Sequence, residues 1–137
     1  MSFAPSLTQT SPVRSAHSGR IALWVLQIAL AGMFLLAGGS KLLGAAPMVA
    51  LFDAIGIGQW FRYVTGAIEV SSAVALLVPS LAVFGASALV ATMIGAIVTH
   101  LFIVGGSPAM PVILLVGSAT VLWTRRHQLL GDQQAVR

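Results

Sequence analysis

The sequence predicts an all-α integral membrane protein: a four-helix bundle with a short amphipathic helix between helices one and two. Of its 137 residues, 58% are hydrophobic and only 7% are charged, whereas a soluble domain carries roughly 25% charged residues. The mean hydropathy is +0.98. Four apolar segments follow one another, each near the roughly 17–25 residues that cross a hydrocarbon core.

Short turns separate most of the predicted spans, so neighbouring helices are expected to run antiparallel. Pro79 and Ser80 leave room only for a tight turn between the second and third spans. A similar turn lies in residues 105–111, where Pro108 suits a first helical position. The fourth span is the shortest and is expected to have little tilt. The predicted spans are residues 21–43, 61–78, 81–104 and 108–124.

The long connection between the first two spans has a helical pattern of its own. Pro47 suits a helix start and Gly56 a helix stop. We predict a short amphipathic helix over residues 47–56 that lies on or in the outer leaflet and covers the mouth of the bundle. An ordered loop with one hydrophobic side is the alternative. Four apolar residues recur at the i, i+3, i+4, i+7 spacing of one helix face: Met48, Leu51, Phe52 and Ile55.

Polar tails are predicted on both sides of a bundle that occupies residues 20–126. Residues 1–19 are rich in Ser, Thr and Pro and lack a basic segment followed by an apolar core, so we expect a flexible cytoplasmic tail and not a signal peptide. Residues 127–137 are expected to form a second polar cytoplasmic tail.

The basic residues predict the orientation. An even number of spans places both termini on one side, and Arg14, Arg20, Arg125, Arg126 and Arg137 lie close to those termini. The positive-inside rule makes this side cytoplasmic. We therefore predict a multi-pass protein of the cell inner (plasma) membrane with both termini cytoplasmic.

Charge and cysteine content exclude several classes of function. The net charge of +4 comes from basic residues scattered near segment ends, so no nucleic-acid partner is expected. The chain has no cysteine, which excludes disulfides, thiol catalysis and thiolate metal sites. No metal site is predicted. The expected surroundings are a lipid bilayer, and a homo-oligomer is left open.

Three ionisable residues fall clearly within the predicted spans: Lys41, Glu69 and His100. The topology places all three in the outer half of the membrane, with Glu69 about 12 Å below the outer end of its helix. Lys41 either snorkels to the outer head groups or pairs with Glu69. His100 is a ligand contact or a structural hydrogen-bonding group. Glu69 is too deep to snorkel, so it is either protonated or paired with a cation.

The face of the second span around Glu69 is polar. Arg62, Thr65 and Ser72 lie at i−7, i−4 and i+3 from it. We predict a small polar pocket between the first three spans, lined by these residues with Lys41 and His100 and open towards the outer surface. Such a constellation in a membrane indicates a functional site by default, and a structural polar clamp is the alternative.

These residues resemble the DoxX-like family of small four-helix membrane proteins. The matching features are G-x-x-K-L ending at Leu42, F-x-x-x-G from Phe52, G-x-x-E ending at Glu69, and A-x-x-T-H-L ending at Leu101. The likeness runs from about Leu23 to the start of the fourth span. The resemblance implies Lys41, Glu69 and His100 as family-typical polar positions, and it implies a link to membrane redox systems. Most members have no established activity.

Three functions compete on the sequence alone. The first is a subunit or partner of a membrane redox enzyme, in which the pocket holds a quinone head group or a small acid. His100 would donate a hydrogen bond, Glu69 would manage a proton and Lys41 would offset negative charge. The second is a small-solute or proton-coupled transporter with Glu69 as the coupling carboxylate. The third is a structural or assembly protein without catalytic activity.

The sequence identifies neither a cofactor nor a reaction. A quinone fits the predicted pocket. A haem is disfavoured because His100 is the one histidine in the predicted spans, so two imidazole ligands would require a dimer. Catalytic residues stay unassigned, and whether the chain is an enzyme stays open.

Overall fold

A computed structural model describes residues 13–131, and 87% of these are helical with no strand among them. The prediction of an all-α fold is therefore confirmed. Residues 1–12 and 132–137, which hold most of the two predicted tails, lie outside the described residues. The helices are α1 (Val13–Leu42), α2 (Ala46–Ile55), α3 (Gln59–Leu77), α4 (Ala82–Thr99) with a π-helical continuation (His100–Val104), α5 (Ala109–Arg125) and α6 (His127–Gly131).

Helix α1 begins at Val13, inside the stretch that the sequence predicts as a flexible tail. Once the apolar part of a helix is formed, each added residue gains one backbone hydrogen bond, so propagation into a polar segment costs little. Similarly, α6 forms a short helix after α5, where a tail was expected. The structure therefore extends the helical region beyond the predicted bundle at both ends.

The four long helices lie side by side. Helix α3 packs against both α1 and α4, and α4 also packs against α5. A smaller contact joins α1 to α5. Residues 78–81 join α3 to α4, which explains why these two helices run antiparallel. All four helices contribute to the buried core, which contains Leu30, Ala31, Phe34, Ala73, Leu76, Ala86, Leu89, Met93 and Val121.

Glycines set the closest helix approaches. A Cβ atom on Gly38 would lie 2.9 Å from Gly66 O, and one on Gly66 would lie 3.0 Å from Gly38 O, so this pair marks the crossing of α1 and α3. A Cβ atom on Gly85 would lie 2.7 Å from Ser72 O, at the crossing of α3 and α4. Small residues allow this proximity between helix backbones.

Two of the described helices are long and apolar enough to cross a membrane: His17–Leu42 and Ala82–Val104. Only 28% and 11% of their most apolar stretches are buried in the chain, whereas the core helix of a soluble protein is mostly buried. Helix α5 is apolar, but its 17 residues make it shorter than these two helices. Helix α3 contains the charged residues Arg62 and Glu69 and is not among the candidate spans. Four membrane crossings therefore stay a prediction.

Helix α2 lies where the sequence predicts a helix, one residue earlier at each end. Gly56 ends it with φ 78°, and the Gly56 N–H donates to Phe52 O. Phe52 is buried, and its ring meets that of Phe61 edge-on with centroids 5.9 Å apart. Helix α2 contacts α3 and the π-helical continuation of α4, so it lies across one end of the long helices.

Candidate functional site

An ion pair joins α1 to α3. Lys41 Nζ lies 2.7 Å from Glu69 Oε2, and the two side chains are only 13% and 3% exposed. Lys41 stands in the last turn of α1, and its side chain runs back along the helix, with Nζ 3.5 Å from Ala37 O. Because the glycine crossing holds α1 close to α3, this side chain reaches Glu69, which lies ten residues after the start of α3.

Arg62 ties the end of α1 to the start of α3. Its Nη1 donates to Lys41 O, its Nε donates to Gln59 Oε1 at 2.6 Å, and its guanidinium carbon lies 4.3 Å from the centroid of the Tyr63 ring. The residue is 4% exposed. Arg62 therefore caps the last turn of α1, the turn that carries Lys41.

Gln59 extends this network to α2. Its Nε2 donates to Val49 O at 2.9 Å and to Asp53 Oδ1 at 2.7 Å, while its Oε1 accepts from Arg62. Three helices are thus joined by one chain of polar contacts. We name Lys41, Glu69, Arg62 and Gln59 the outer network, after the membrane side predicted for them.

The other three predicted site residues are not joined to the ion pair by a described hydrogen bond. Thr65 Oγ1 donates within its own helix, to Phe61 O and Arg62 O, each at 3.1 Å. Ser72 is buried, one turn beyond Glu69, and its backbone faces Gly85 of α4.

His100 stands at the first position of the π-helical turn. Its Nδ1 lies 2.8 Å from Ala96 O and donates to it, which leaves Nε2 as the ring nitrogen available to a ligand. The residue is half-buried. His100 is therefore held by its own helix, separately from Lys41 and Glu69.

A second polar cluster, absent from the sequence prediction, lies at the opposite end of the long helices. Gln27 of α1 is fully buried, and its Nε2 donates to Leu76 O. Its Oε1 accepts from Arg125 Nη2 at 2.8 Å and from Arg125 Nε at 3.2 Å. The sequence prediction started from ionisable residues and therefore did not include Gln27, whose amide is neutral. Its place on the same helix face as Leu30 and Phe34, at i+3 and i+7, is the signal that would have found it.

Comparison with known proteins identifies a family. The model of the DoxX-like family matches residues 25–122, a range that includes the ion pair, Arg62, Gln27 and His100. No curated protein matches the chain. No solved structure matches it either.

Proposed function

The chain belongs to the DoxX-like family and is a membrane protein, and from this premise we propose that α1, α3, α4 and α5 form a four-helix bundle that crosses the plasma membrane. The outward apolar side chains support the proposal: Leu36, Leu43 and Phe102 are 74%, 88% and 80% exposed, and only lipid or a partner could cover so many of them. Helix α1 has 30 residues and is therefore about 45 Å long, which is enough to cross the roughly 30 Å hydrocarbon core.

The distribution of charge supports cytoplasmic termini. Arg20, Arg125 and Arg126 lie at one end of the bundle, with Trp24 and Trp123 as the aromatic residues of that interface. The two cations at the other end are engaged internally: Lys41 pairs with Glu69, and Arg62 is buried. In this arrangement α2 is the amphipathic helix of the outer surface, with Phe52 inward and Asp53 exposed.

Within this bundle, we propose that the chain is the membrane subunit or partner of a redox system and that the Lys41–Glu69 pair binds the polar head group of a quinone or a small acid. The ion pair is the observation that carries the proposal. Burying two charges is expensive, and a well-packed apolar pair is often equally or more stabilising. Stability alone therefore does not account for an ion pair in a membrane helix, and such residues mark functional sites by default.

The geometry suits a ligand that carries both an acceptor and a donor. The Lys41 ammonium has three N–H groups: one faces Glu69, one faces Ala37 O at a long 3.5 Å, and the third is left for a carbonyl or carboxylate oxygen. The Glu69 carboxylate accepts more than one hydrogen bond, so it receives the hydroxyl of a reduced head group. The remaining candidates for contacts with the ligand are Thr65, Ser72 and the free Nε2 of His100.

Titration with a short-chain quinone tests this function. With the protein in lipid nanodiscs and its intrinsic tryptophan fluorescence as the signal, Glu69→Gln is expected to weaken binding about tenfold or more, because it removes a hydrogen bond to a charged group. Ser71→Ala is the matched control, since Ser71 lies on the exposed side of α3 and donates only to Ile68 O. Quinone affinity unchanged by Glu69→Gln would reject the proposed site.

A structural or assembly function is the second candidate, and the outer network supports it. Arg62 and Gln59 connect α1, α2 and α3 through contacts to Lys41 O and Val49 O, so the same residues hold three helices in register. If this is the only role, Glu69→Gln lowers the stability of the bundle and no quinone binds to the wild-type protein.

A further inference from the structure

The strongest feature outside the outer network is a basic cavity at the inner end of the bundle. It has a volume of about 280 Å³ and lies between the first part of α1, the turn from α3 to α4 and the junction of α5 with α6. The residues that line it include Arg20, Trp24, Pro79, Arg125, His127 and Gln128. We name it the inner pocket.

The two charged side chains that line the inner pocket, Arg20 and Arg125, are both cations. Two guanidinium groups and one imidazole line it, and no carboxylate does so among the described residues. Asp53 and Glu69 belong to the opposite end of the bundle, and Asp132 lies outside the described residues. The side chains of Arg20 and His127 make no hydrogen bond or ion pair within residues 13–131. A ligand of this pocket is therefore expected to be an anion.

Arg125 is held in place before any ligand arrives. Its Nε and Nη2 both donate to Gln27 Oε1, and Gln27 is itself fixed by Leu76 O. The guanidinium carbon also lies 5.8 Å from the centroid of the Trp24 ring. Its Nη1 has no partner among the described residues. Arginine in a fixed plane is well suited to binding phosphate oxygens.

Gln128 also lines this pocket, and its side chain carries an unmet acceptor. Its Nε2 donates to Pro79 O at 2.9 Å, while its Oε1 is buried and has no hydrogen-bond partner. A buried acceptor left unpaired is costly. The pocket therefore combines cationic donors for a phosphate with one acceptor that requires a donor, such as a hydroxyl group.

We propose that the inner pocket binds the phosphodiester head group of an anionic phospholipid that carries a free hydroxyl, as a glycerol head group does. Arg20 and Arg125 contact the phosphate, and Gln128 Oε1 accepts from the hydroxyl. Basic pockets between helices on the cytoplasmic side are suited to anionic lipid head groups, and Trp24 is a residue type that lies at this interface. This inference rests on the membrane-spanning arrangement proposed above and is independent of the quinone site.

Native mass spectrometry of the protein in detergent tests the inference by counting bound lipids. Short-chain phosphatidylglycerol is compared with phosphatidylmethanol, which has the same charge but no hydroxyl, and with zwitterionic phosphatidylcholine. The expected order of affinity is phosphatidylglycerol, then phosphatidylmethanol, then phosphatidylcholine. Equal affinity for the first two would overturn the role of Gln128, and equal affinity for all three would overturn the site.

Two charge-matched variants locate the binding. Arg20→Gln is expected to weaken phosphatidylglycerol binding about fivefold, the effect of one basic residue near an anionic head group. The Arg20 side chain has no hydrogen bond or ion pair among the described residues, so we expect the variant to keep its fold. Arg126→Gln is the control, because Arg126 donates to Trp123 O and its guanidinium carbon lies 3.8 Å from the Trp123 ring centroid, outside the pocket. Equal losses in both variants would overturn the site.

Competition with soluble glycerol phosphate distinguishes a lipid from a free phosphate ester. The lipid assignment predicts that glycerol phosphate at the same concentration does not displace phosphatidylglycerol, because it lacks the acyl chains that hold the head group at the bundle surface. Complete displacement would overturn the lipid assignment. A protein that still crosses the membrane four times and binds quinone but shows no lipid preference would refute this inference alone.

Discussion

Replacing Lys41 by Met is expected to lower the free energy of unfolding by about 3–5 kcal/mol, the range for removing one partner of a buried ion pair. The change leaves the Glu69 carboxylate, whose side chain is 3% exposed, without its counter-charge. Glu69→Gln is expected to cost less. The Lys41 side chain is 13% exposed at the end of α1, so its ammonium group can turn towards water or head groups.

Unfolding of the purified protein in detergent measures these differences. Leu43→Met is the control, because it places the same side chain two residues later at a position that is 88% exposed. The double variant Lys41→Met with Glu69→Leu is expected to recover part of the loss, since two apolar residues leave no unpaired charge. A Lys41→Met protein as stable as Leu43→Met would contradict the ion pair.

Gly38→Ala is expected to destabilise the bundle by about 1–3 kcal/mol, as overpacking of a tight contact does. The new methyl group would lie 2.9 Å from Gly66 O, 2.9 Å from Val70 Cγ2 and 3.0 Å from Glu69 Cβ. Because one of these atoms is backbone, α1 must move away from α3. That movement also draws Lys41 away from Glu69, so the site and the fold are affected together.

The adjacent Gly39 provides the matched control. A Cβ atom there has no atom within 4 Å, so Gly39→Ala is expected to leave stability unchanged or slightly raised through the higher helix propensity of alanine. Unfolding midpoints of the two variants in the same detergent give the comparison. Equal midpoints would show that α1 and α3 do not cross at Gly38.

Most of the helices were predictable from the sequence for physical reasons, and the ion pair was one of the two alternatives stated for Lys41. Long apolar runs, Pro47 and Gly56 indicate where helices form. The observed boundaries differ from the predicted ones by one or two residues, except at the N-terminus of α1 and in the last turn of α4, and α6 was not predicted. Lys41 and Glu69 were candidates because a charge within an apolar span needs a partner. Family membership, inferred from four short motifs, is confirmed by the match over residues 25–122.

The rest depends on how the helices rotate and cross, which one sequence does not specify. Nothing in the residues around His100 indicates a π-helical turn. Gln27 and Gln59 were passed over because a neutral amide carries no charge that demands a partner. Their roles appear only when Arg125 and Arg62 are placed beside them.

The proposal that the long helices cross the membrane, with the ion pair in the outer half, is tested most directly by labelling single cysteines in intact cells. The chain has no cysteine, so only an introduced thiol reacts with a membrane-impermeant maleimide. Ser107→Cys, in the turn before α5, is predicted to react in intact cells. Ser80→Cys, in the turn between α3 and α4, is predicted to react only after the membrane is permeabilised. Labelling of both positions from the same side, or of Ser80→Cys from outside, would contradict the proposed arrangement.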